Sequence, residues 1–144
     1  WILLSMKNSN NLEKIKNDLK FCNEYWTIIY GSFLSENYIV NRSDIDIAII
    51  TRIKNKAKNI EIWDALLAKA PSNYDIRIFE LFPLYIQIDI IQNYKTIFGD
   101  ALEISEYFYR YRKIWRDMVP RIKSNQFESV QEKLRLMENR KAFL

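Results

Sequence analysis

The stretch YGSFLSENYIVNRSDIDIAII, from Tyr30 to Ile50, decides the fold of this chain. It contains Gly31, one of only two glycines in the protein, followed at once by Ser32. After eleven more residues come Asp44 and Asp46, separated by one residue inside an otherwise apolar run. The run is typical of a buried strand, and side chains at i and i+2 of a strand point to the same face. Two carboxylates on one face of such a strand need an explanation.

Asp44 and Asp46 would carry like charges close together. Two carboxylates a few ångströms apart repel each other, and one tends to stay protonated unless a cation lies between them. A hard divalent ion bound by carboxylate oxygens removes the conflict, while Ile45, Ile47 and Ile49 would pack the opposite face. The alternative is that Asp44 and Asp46 lie at an exposed strand start and have no function. The pair alone favours that alternative.

The Gly31-Ser32 dipeptide shifts the balance toward a ligand site. It follows a strand and precedes FLSENY, which can form a short helix. A glycine lets the backbone approach a ligand closely. The N–H groups at the start of a helix, together with the Ser32 hydroxyl, would form a cradle for phosphate. A phosphate cradle beside a carboxylate pair predicts a site for a nucleotide and its metal ions.

Composition restricts the remaining possibilities. The 144 residues are 49% hydrophobic and 15% aromatic, which predicts one domain with a substantial core. The absence of histidine excludes Ser-His-Asp and Cys-His nucleophile systems and, with a single cysteine, argues against structural zinc. Any metal should therefore lie on oxygen ligands, which favours magnesium or manganese. The lone cysteine fits a cytoplasmic protein, and no apolar run approaches the roughly 20 residues that cross a bilayer.

Hydrophobic periodicity predicts alternating strands and helices. The stretch 81–94 is ambiguous, because its β-branched residues favour a strand while Pro83 favours a helix start, and we favour the helix. The predicted fold class is α/β or α+β: a small mixed sheet flanked by helices in a single domain over 1–144, with a core at about 25–100 and C-terminal helices at about 101–142. Strands are predicted at 25–30, 43–52, 73–81 and 95–100, and helices at 10–24, 60–70, 101–119 and 126–142.

Gly31-Ser32 followed by Ser43-Asp44-Ile45-Asp46 resembles the signature of the DNA polymerase β-type nucleotidyltransferase superfamily. The closest likeness is to its small stand-alone members, the minimal nucleotidyltransferases. The order of elements from Tyr74 to Asp100 and the aromatic helix after it is also similar, so the resemblance covers about 25–120. It implies a transfer of a nucleoside monophosphate from an NTP, with ATP favoured, to an acceptor hydroxyl. The implied mechanism is a two-metal in-line displacement with Mg²⁺ or Mn²⁺.

The resemblance also implies roles for three carboxylates. Asp44 and Asp46 would bind both metal ions. A third aspartate, on the adjacent strand, would hold the catalytic metal and draw the proton from the attacking hydroxyl. Asp75, in NYDIRIF, occupies that place, and Asp89, in IQIDII, is the competitor if 84–91 is a strand. We favour Asp75 and expect Asp89 to point elsewhere from a helix.

Nucleotide contacts follow from the same resemblance. Gly31 and Ser32 would hold the β- and γ-phosphates, and Ser43 belongs to the nucleotide-binding set. Arg77 lies two residues after Asp75 on the same strand face, so it could reach a phosphate. A salt bridge from Arg77 to a nearby carboxylate is the equal alternative.

One departure from the family keeps a rival function open. Many members have an arginine and a glycine shortly after the Gly-Ser pair, where this chain has Ser35 and Glu36. A weakly active or inactive antitoxin-type module that pairs with a helical partner protein is therefore the first rival. The acceptor of an active enzyme would be an unidentified protein or RNA, and the chain could form a homodimer.

A nucleic-acid-binding protein is the second rival. The net charge is +4, and from Arg110 to Lys141 the chain has ten Lys and Arg residues against four Asp and Glu residues. Such a basic segment could guide RNA, although an ordinary solvated helix face has the same composition. Five residues at helical spacing, which begin just before this segment and continue into it, predict a core or dimer contact rather than a base-stacking platform: Ile104, Phe108, Tyr111, Trp115 and Val119.

Overall fold

The computed structural model describes residues 11–34, 44–121 and 131–135. The predictions made for Ser35, Glu36 and Ser43 lie outside the described residues. So does most of the predicted final helix, of which 131–135 is described and is helical.

A four-stranded mixed sheet forms the centre of the fold. Its strands are β1 (Trp26–Tyr30), β2 (Ile45–Ile50), β3 (Tyr74–Ile78) and β4 (Tyr94–Phe98), in the order β3-β2-β1-β4. The central strand β1 is antiparallel to both β2 and β4, whereas β2 and β3 are parallel. The predicted fold class, a small mixed sheet flanked by helices, is confirmed.

In the described ranges, the helices that flank the sheet are α1 (11–18), α2 (Lys56–Leu67), α3 (Leu84–Gln92) and α4 (Ala101–Met118). The ambiguous stretch 81–94 forms α3, as favoured, and the carbonyl of Pro83 accepts the first backbone hydrogen bonds of that helix. None of the helices in the described ranges is long and apolar enough to span a membrane.

Several element boundaries differ from the sequence prediction, among them the end of α1 at 18, the start of α2 and the end of β3. Helix α2 begins at Lys56 rather than at 60, because the Asn55 side chain accepts a hydrogen bond of 2.9 Å from the backbone N–H of Lys58 and caps the helix there. Strand β3 ends at Ile78, and Phe79–Leu81 turns into a short 3-10 helix. The Asn55 cap therefore moves the start of α2 away from where apolar periodicity puts it.

The sheet separates two apolar cores. One core lies between the sheet and helices α1 and α2, and contains Ile15 of α1 and the odd-numbered residues of β2. The other lies under α3 and α4, where Ile104 and Phe108 are fully buried and Tyr111 and Trp115 pack at the edge, so these four residues of the predicted stripe form a core contact, one of the two predicted alternatives. The first core includes Ile15, Leu19, Cys22, Ile45, Ile47, Ile49, Ile76 and Ile78, and the second includes Ile28, Tyr30, Ala48, Ile50, Phe79, Ile90 and Ile91.

Candidate active site

Two aspartates lie side by side at the beginning of the parallel strands β2 and β3. Asp46 is in register with Asp75, one residue inside each strand. The residues that flank Asp46, Ile45 and Ile47, are buried in the α1/α2 core, so Asp46 faces the opposite side of the sheet, and its register places Asp75 there too. Both aspartates are partly exposed, and Asp44, immediately before β2, is exposed. The register thus brings together the two carboxylates that sequence analysis placed on separate strands.

The end of β1 brings the Gly-Ser turn to the same place. Tyr30 is in register with Asp46 on the antiparallel neighbour, and Gly31 begins the short 3-10 helix Gly31–Leu34 that contains Ser32. Gly31 has a φ of 77°, which glycine adopts without strain. A Cβ added there would collide with Oδ2 of Asp46 and lie 3.3 Å from its Cγ. The position therefore requires glycine both for its backbone conformation and for close contact with the carboxylate.

Tyr30 is a component of this region that sequence analysis missed. Its side chain is 6% exposed and packs edge-to-face on Phe82, with 6.3 Å between the ring centroids. Burial, followed by the negative charges of Asp46 and Asp75, raises the pKa of Tyr30 above its ordinary value, so the phenol is neutral at physiological pH. Its place directly before Gly31, at the end of an apolar strand, was the available sequence signal.

Arg77 forms the salt bridge that sequence analysis held as an equal alternative to phosphate contact. Its Nε lies 3.2 Å from Oδ1 of Asp75, and the two side chains are 48% and 36% exposed. Partial burial acts to lower the pKa of Arg77, but the charge and hydrogen bond of Asp75, followed by the charges of Tyr30 and Asp46, together outweigh it and raise that pKa. In this structure the guanidinium is therefore engaged by the candidate third carboxylate.

Asp89, the competing third carboxylate, lies on helix α3 and is exposed. It does not share the strand register that pairs Asp46 with Asp75. Its charge nevertheless contributes, after those two, to the raised pKa of Tyr30. Asp89 is thus on a helix, as expected, but its negative charge acts on the same side of the sheet as Asp46 and Asp75.

The residue types at this end of the sheet fit a divalent cation. Asp44, Asp46 and Asp75 offer only hard carboxylate oxygens, the donors that Mg²⁺ and Mn²⁺ prefer. Gly31 carries no side chain next to Asp46, where the Cβ of any other residue would collide with the carboxylate. Within residues 11–34, 44–121 and 131–135, however, no three Asp, Glu, His or Cys side chains are gathered closely enough to hold an ion. The carboxylate oxygens are therefore of the right kind for a divalent ion, but among the described residues they are not gathered into a metal-binding cluster.

Comparisons with known proteins agree on the family. Residues 10–102 match the family described as polymerase beta, nucleotidyltransferase. A candidate protein adenylyltransferase of Methanocaldococcus jannaschii is 50% identical over 109 residues, which are 76% of this chain and 84% of that protein. Proteins of this family generally use divalent metal ions.

Solved structures support the fold independently. A chain from the complex of a tri-AMPylated Shewanella oneidensis HEPN toxin with an MNT antitoxin matches 88% of this chain and 97% of its own length, with a TM-score of 0.55 and 14% identity. A chain from a toxin–antitoxin structure with AMP-PNP matches 83% of this chain and 97% of its own length, with a TM-score of 0.59 and 13% identity. At these identities the likeness concerns the fold. Together with the family match, it establishes that the chain belongs to the polymerase beta nucleotidyltransferase family.

Proposed function

We propose that this nucleotidyltransferase moves an adenylyl group from ATP to a hydroxyl group of a protein acceptor, with Mg²⁺ or Mn²⁺. The observation that carries the proposal is the position of Asp46, which is in register with Asp75 and in contact with the backbone of Gly31. The 50% identical relative, described as a candidate protein adenylyltransferase, supports ATP and a protein acceptor. The lone cysteine, Cys22, fits a reducing compartment, so a cytoplasmic location is part of the proposal.

The three carboxylates have distinct places in this proposal. Asp44, Asp46 and Asp75 would hold the divalent ions. Bound ions would neutralise charge that develops on the phosphates and make the acceptor hydroxyl easier to ionise. Asp75 differs from the other two because it lies on a separate strand, and we assign it the proton of the attacking hydroxyl. The chain has no histidine that could take this proton instead.

The turn after β1 would hold the outer phosphates. The positive φ of Gly31 brings the backbone against the carboxylate of Asp46 without an intervening side chain. Backbone N–H groups of this turn and the Ser32 hydroxyl would donate hydrogen bonds to the β- and γ-phosphates. We include Ser43, next to Asp44 in sequence, and Arg77, next to Asp75 in space, among the nucleotide contacts.

This arrangement directs the attack to the α-phosphorus. The acceptor oxygen forms a bond to that phosphorus, and the bond from it to the bridging oxygen of the β-phosphate breaks. Pyrophosphate leaves, held by the turn at Gly31 and Ser32, while the proton of the acceptor hydroxyl passes to Asp75. The products are an adenylylated protein and pyrophosphate.

The proposal is tested by following the label of α-labelled ATP in the presence of Mg²⁺ and candidate acceptor proteins and RNAs. Asp75→Asn and Asp89→Asn form a matched pair, since each removes one carboxylate from the same region. We expect the wild type and Asp89→Asn to label a protein acceptor and release pyrophosphate, and Asp75→Asn to lose at least about 100-fold in rate.

Four outcomes would contradict parts of this account. Labelled RNA with unlabelled protein would overturn the protein acceptor. Loss of labelling in Asp89→Asn but not in Asp75→Asn would reverse the assignment of the third carboxylate. Binding of ATP with no acceptor labelled, or release of ADP, would overturn transfer itself and favour the antitoxin-type binding module.

A further inference from the structure

Asp75 is held by a cation from its own strand. Arg77 and Asp75 form an ion pair at the candidate site, and Lys58 and Glu61 form another on the surface of α2. The first has the shorter N–O distance, 3.2 Å against 3.8 Å, and includes a hydrogen bond from Nε. Arg77 is two residues beyond Asp75, so both side chains project from the same face of β3. The strand itself thus supplies a positive charge to the carboxylate.

The positive charge of Arg77 reduces the electrostatic repulsion between the two aspartates. Asp46 and Asp75 are neighbours in register, and their like charges disfavour each other. The positive charge of Arg77 interacts favourably with both. A divalent ion bound by the two carboxylates would relieve the same repulsion. The guanidinium and the ion therefore compete for Asp75.

We propose that Arg77 is a positioning residue that serves as an internal counter-cation, holding the Asp75 carboxylate until a divalent ion displaces it. This inference rests on the proposed function, in which Asp75 is a metal ligand. It accounts for acidic side chains that are suitable in kind but, among the residues that the structure describes, are not gathered into a metal-binding group. A metal ion that binds alone has to break the Arg77–Asp75 pair and accept a positive neighbour.

A nucleotide changes this balance. Its triphosphate brings negative charge that can receive the released guanidinium, so the ion and the nucleotide each favour binding of the other. Arg77 thereby has both roles that sequence analysis treated as alternatives: a salt bridge in the free protein and a phosphate contact in the complex. Metal binding becomes coupled to the presence of the substrate.

The test measures Mn²⁺ affinity by calorimetry, first with the metal alone. Removing Arg77 takes away the competitor, so we expect Arg77→Gln to bind Mn²⁺ about two- to fivefold more tightly than the wild type, the range that an exposed ion pair supports. The matched control is Lys58→Gln, which also removes one charge and one ion pair, but on α2 at the opposite face of the sheet. It should leave Mn²⁺ affinity unchanged.

The second measurement repeats the titration with AMP-PNP present. The nucleotide should increase Mn²⁺ affinity by a larger factor in the wild type than in Arg77→Gln, because only the wild type can transfer a guanidinium to phosphate. Arg77→Lys, which retains the charge, should bind Mn²⁺ alone as the wild type does, within about twofold.

Each negative result has a separate meaning. Equal or weaker binding of Mn²⁺ alone by Arg77→Gln, or an unchanged nucleotide effect, would overturn the counter-cation role. Asp75→Asn should weaken Mn²⁺ binding by about tenfold or more because it removes a charged ligand. Unchanged binding in Asp75→Asn would instead show that the proposed metal site is wrong, whatever Arg77 does.

Discussion

The carboxylates at the two ends of the sheet have opposite surroundings. At the end where β2 and β3 finish, Glu80 accepts hydrogen bonds from the backbone N–H of Thr51 at 2.9 Å, from its hydroxyl at 3.2 Å and from the hydroxyl of Tyr107 at 3.1 Å. At the end where the same strands begin, Asp46 and Asp75 lie next to each other in register, and Asp75 is paired with a side chain that is 48% exposed.

This difference distinguishes a carboxylate that stabilises the fold from carboxylates that could bind a ligand. The donors around Glu80 come largely from backbone and packed side chains, so this carboxylate links β2, the turn after β3 and helix α4 into one unit. The carboxylates at the other end repel each other and are partly open to solvent. An acid that is fully supplied with donors stabilises the fold, whereas a pair of neighbouring acids is stabilised by a ligand. Substitutions at the two ends should therefore have opposite consequences.

The largest effect on stability should come from Glu80→Ala. It leaves the N–H of Thr51 and part of the hydrogen bonding of Tyr107 unsatisfied in a half-buried position, which should lower the free energy of unfolding by about 2–4 kcal/mol. Urea denaturation measures the loss. Glu61→Ala is the matched control, because its surface ion pair supports a change of at most about 1 kcal/mol. Equal losses in the two variants would contradict the structural role of Glu80.

Gly31→Ala should destabilise the protein less but remove ligand binding. The positive φ and the collision with Asp46 should cost about 1–3 kcal/mol. Gly99→Ala offers a comparison at the other end of the sheet, because Gly99 has a φ of 117° and an added Cβ would lie 2.7 Å from Trp26. Calorimetry with Mn²⁺ and AMP-PNP should detect binding in Gly99→Ala and none in Gly31→Ala. Normal binding by Gly31→Ala would show that the turn at Gly31 is not part of the binding site.

Asp46→Asn should leave the fold intact. Relief of the repulsion with Asp75 should keep the metal-free protein as stable as the wild type or raise the free energy of unfolding by up to about 1 kcal/mol. The same variant should lose Mn²⁺-dependent binding of ATP. Thermal unfolding and calorimetry on one preparation give both results. A clear loss of stability would indicate that Asp46 belongs with Glu80 as a structural acid.

The smallest effect is a pH dependence that belongs to Glu80 alone. Burial raises its pKa above the ordinary value of 4.5, although hydrogen bonds from Thr51 and Tyr107 offset part of the rise. Between the two pKa values the folded protein holds more protons than the unfolded chain, so this contribution to stability falls as pH increases. The free energy of unfolding of the wild type minus that of Glu80→Gln should therefore decrease from acidic to neutral pH. A difference that increases with pH would contradict the raised pKa.

Much of the sheet end that carries Asp46 could be predicted from the sequence. Alternation of isoleucine and aspartate from Asp44 to Ile49 defines a strand with one buried face, and Gly31 marks the turn before it. Pro83 correctly indicated that α3 is a helix, which removed Asp89 from the strands. These features are local, so a single segment contains the information.

The rest depends on contacts between distant segments. The register that pairs Asp46 with Asp75 joins residues 29 positions apart and is set by the packing of the sheet. The burial of Tyr30 depends on Phe82, and the Glu80 network on Tyr107 of α4. No local pattern distinguishes Glu80, a structural acid, from Asp75, a candidate ligand. Their roles follow from which donors the fold brings to each.

The most direct test of the central claim is a crystal structure of the protein with AMP-PNP and Mn²⁺, in which anomalous scattering locates the metal. The account predicts a manganese peak contacted by the carboxylates of Asp46 and Asp75, with the outer phosphates over the turn at Gly31 and the Arg77 guanidinium turned from Asp75 to phosphate. A peak held by Asp89 or by Glu80, with Asp46 and Asp75 making no contact to metal or nucleotide, would contradict it.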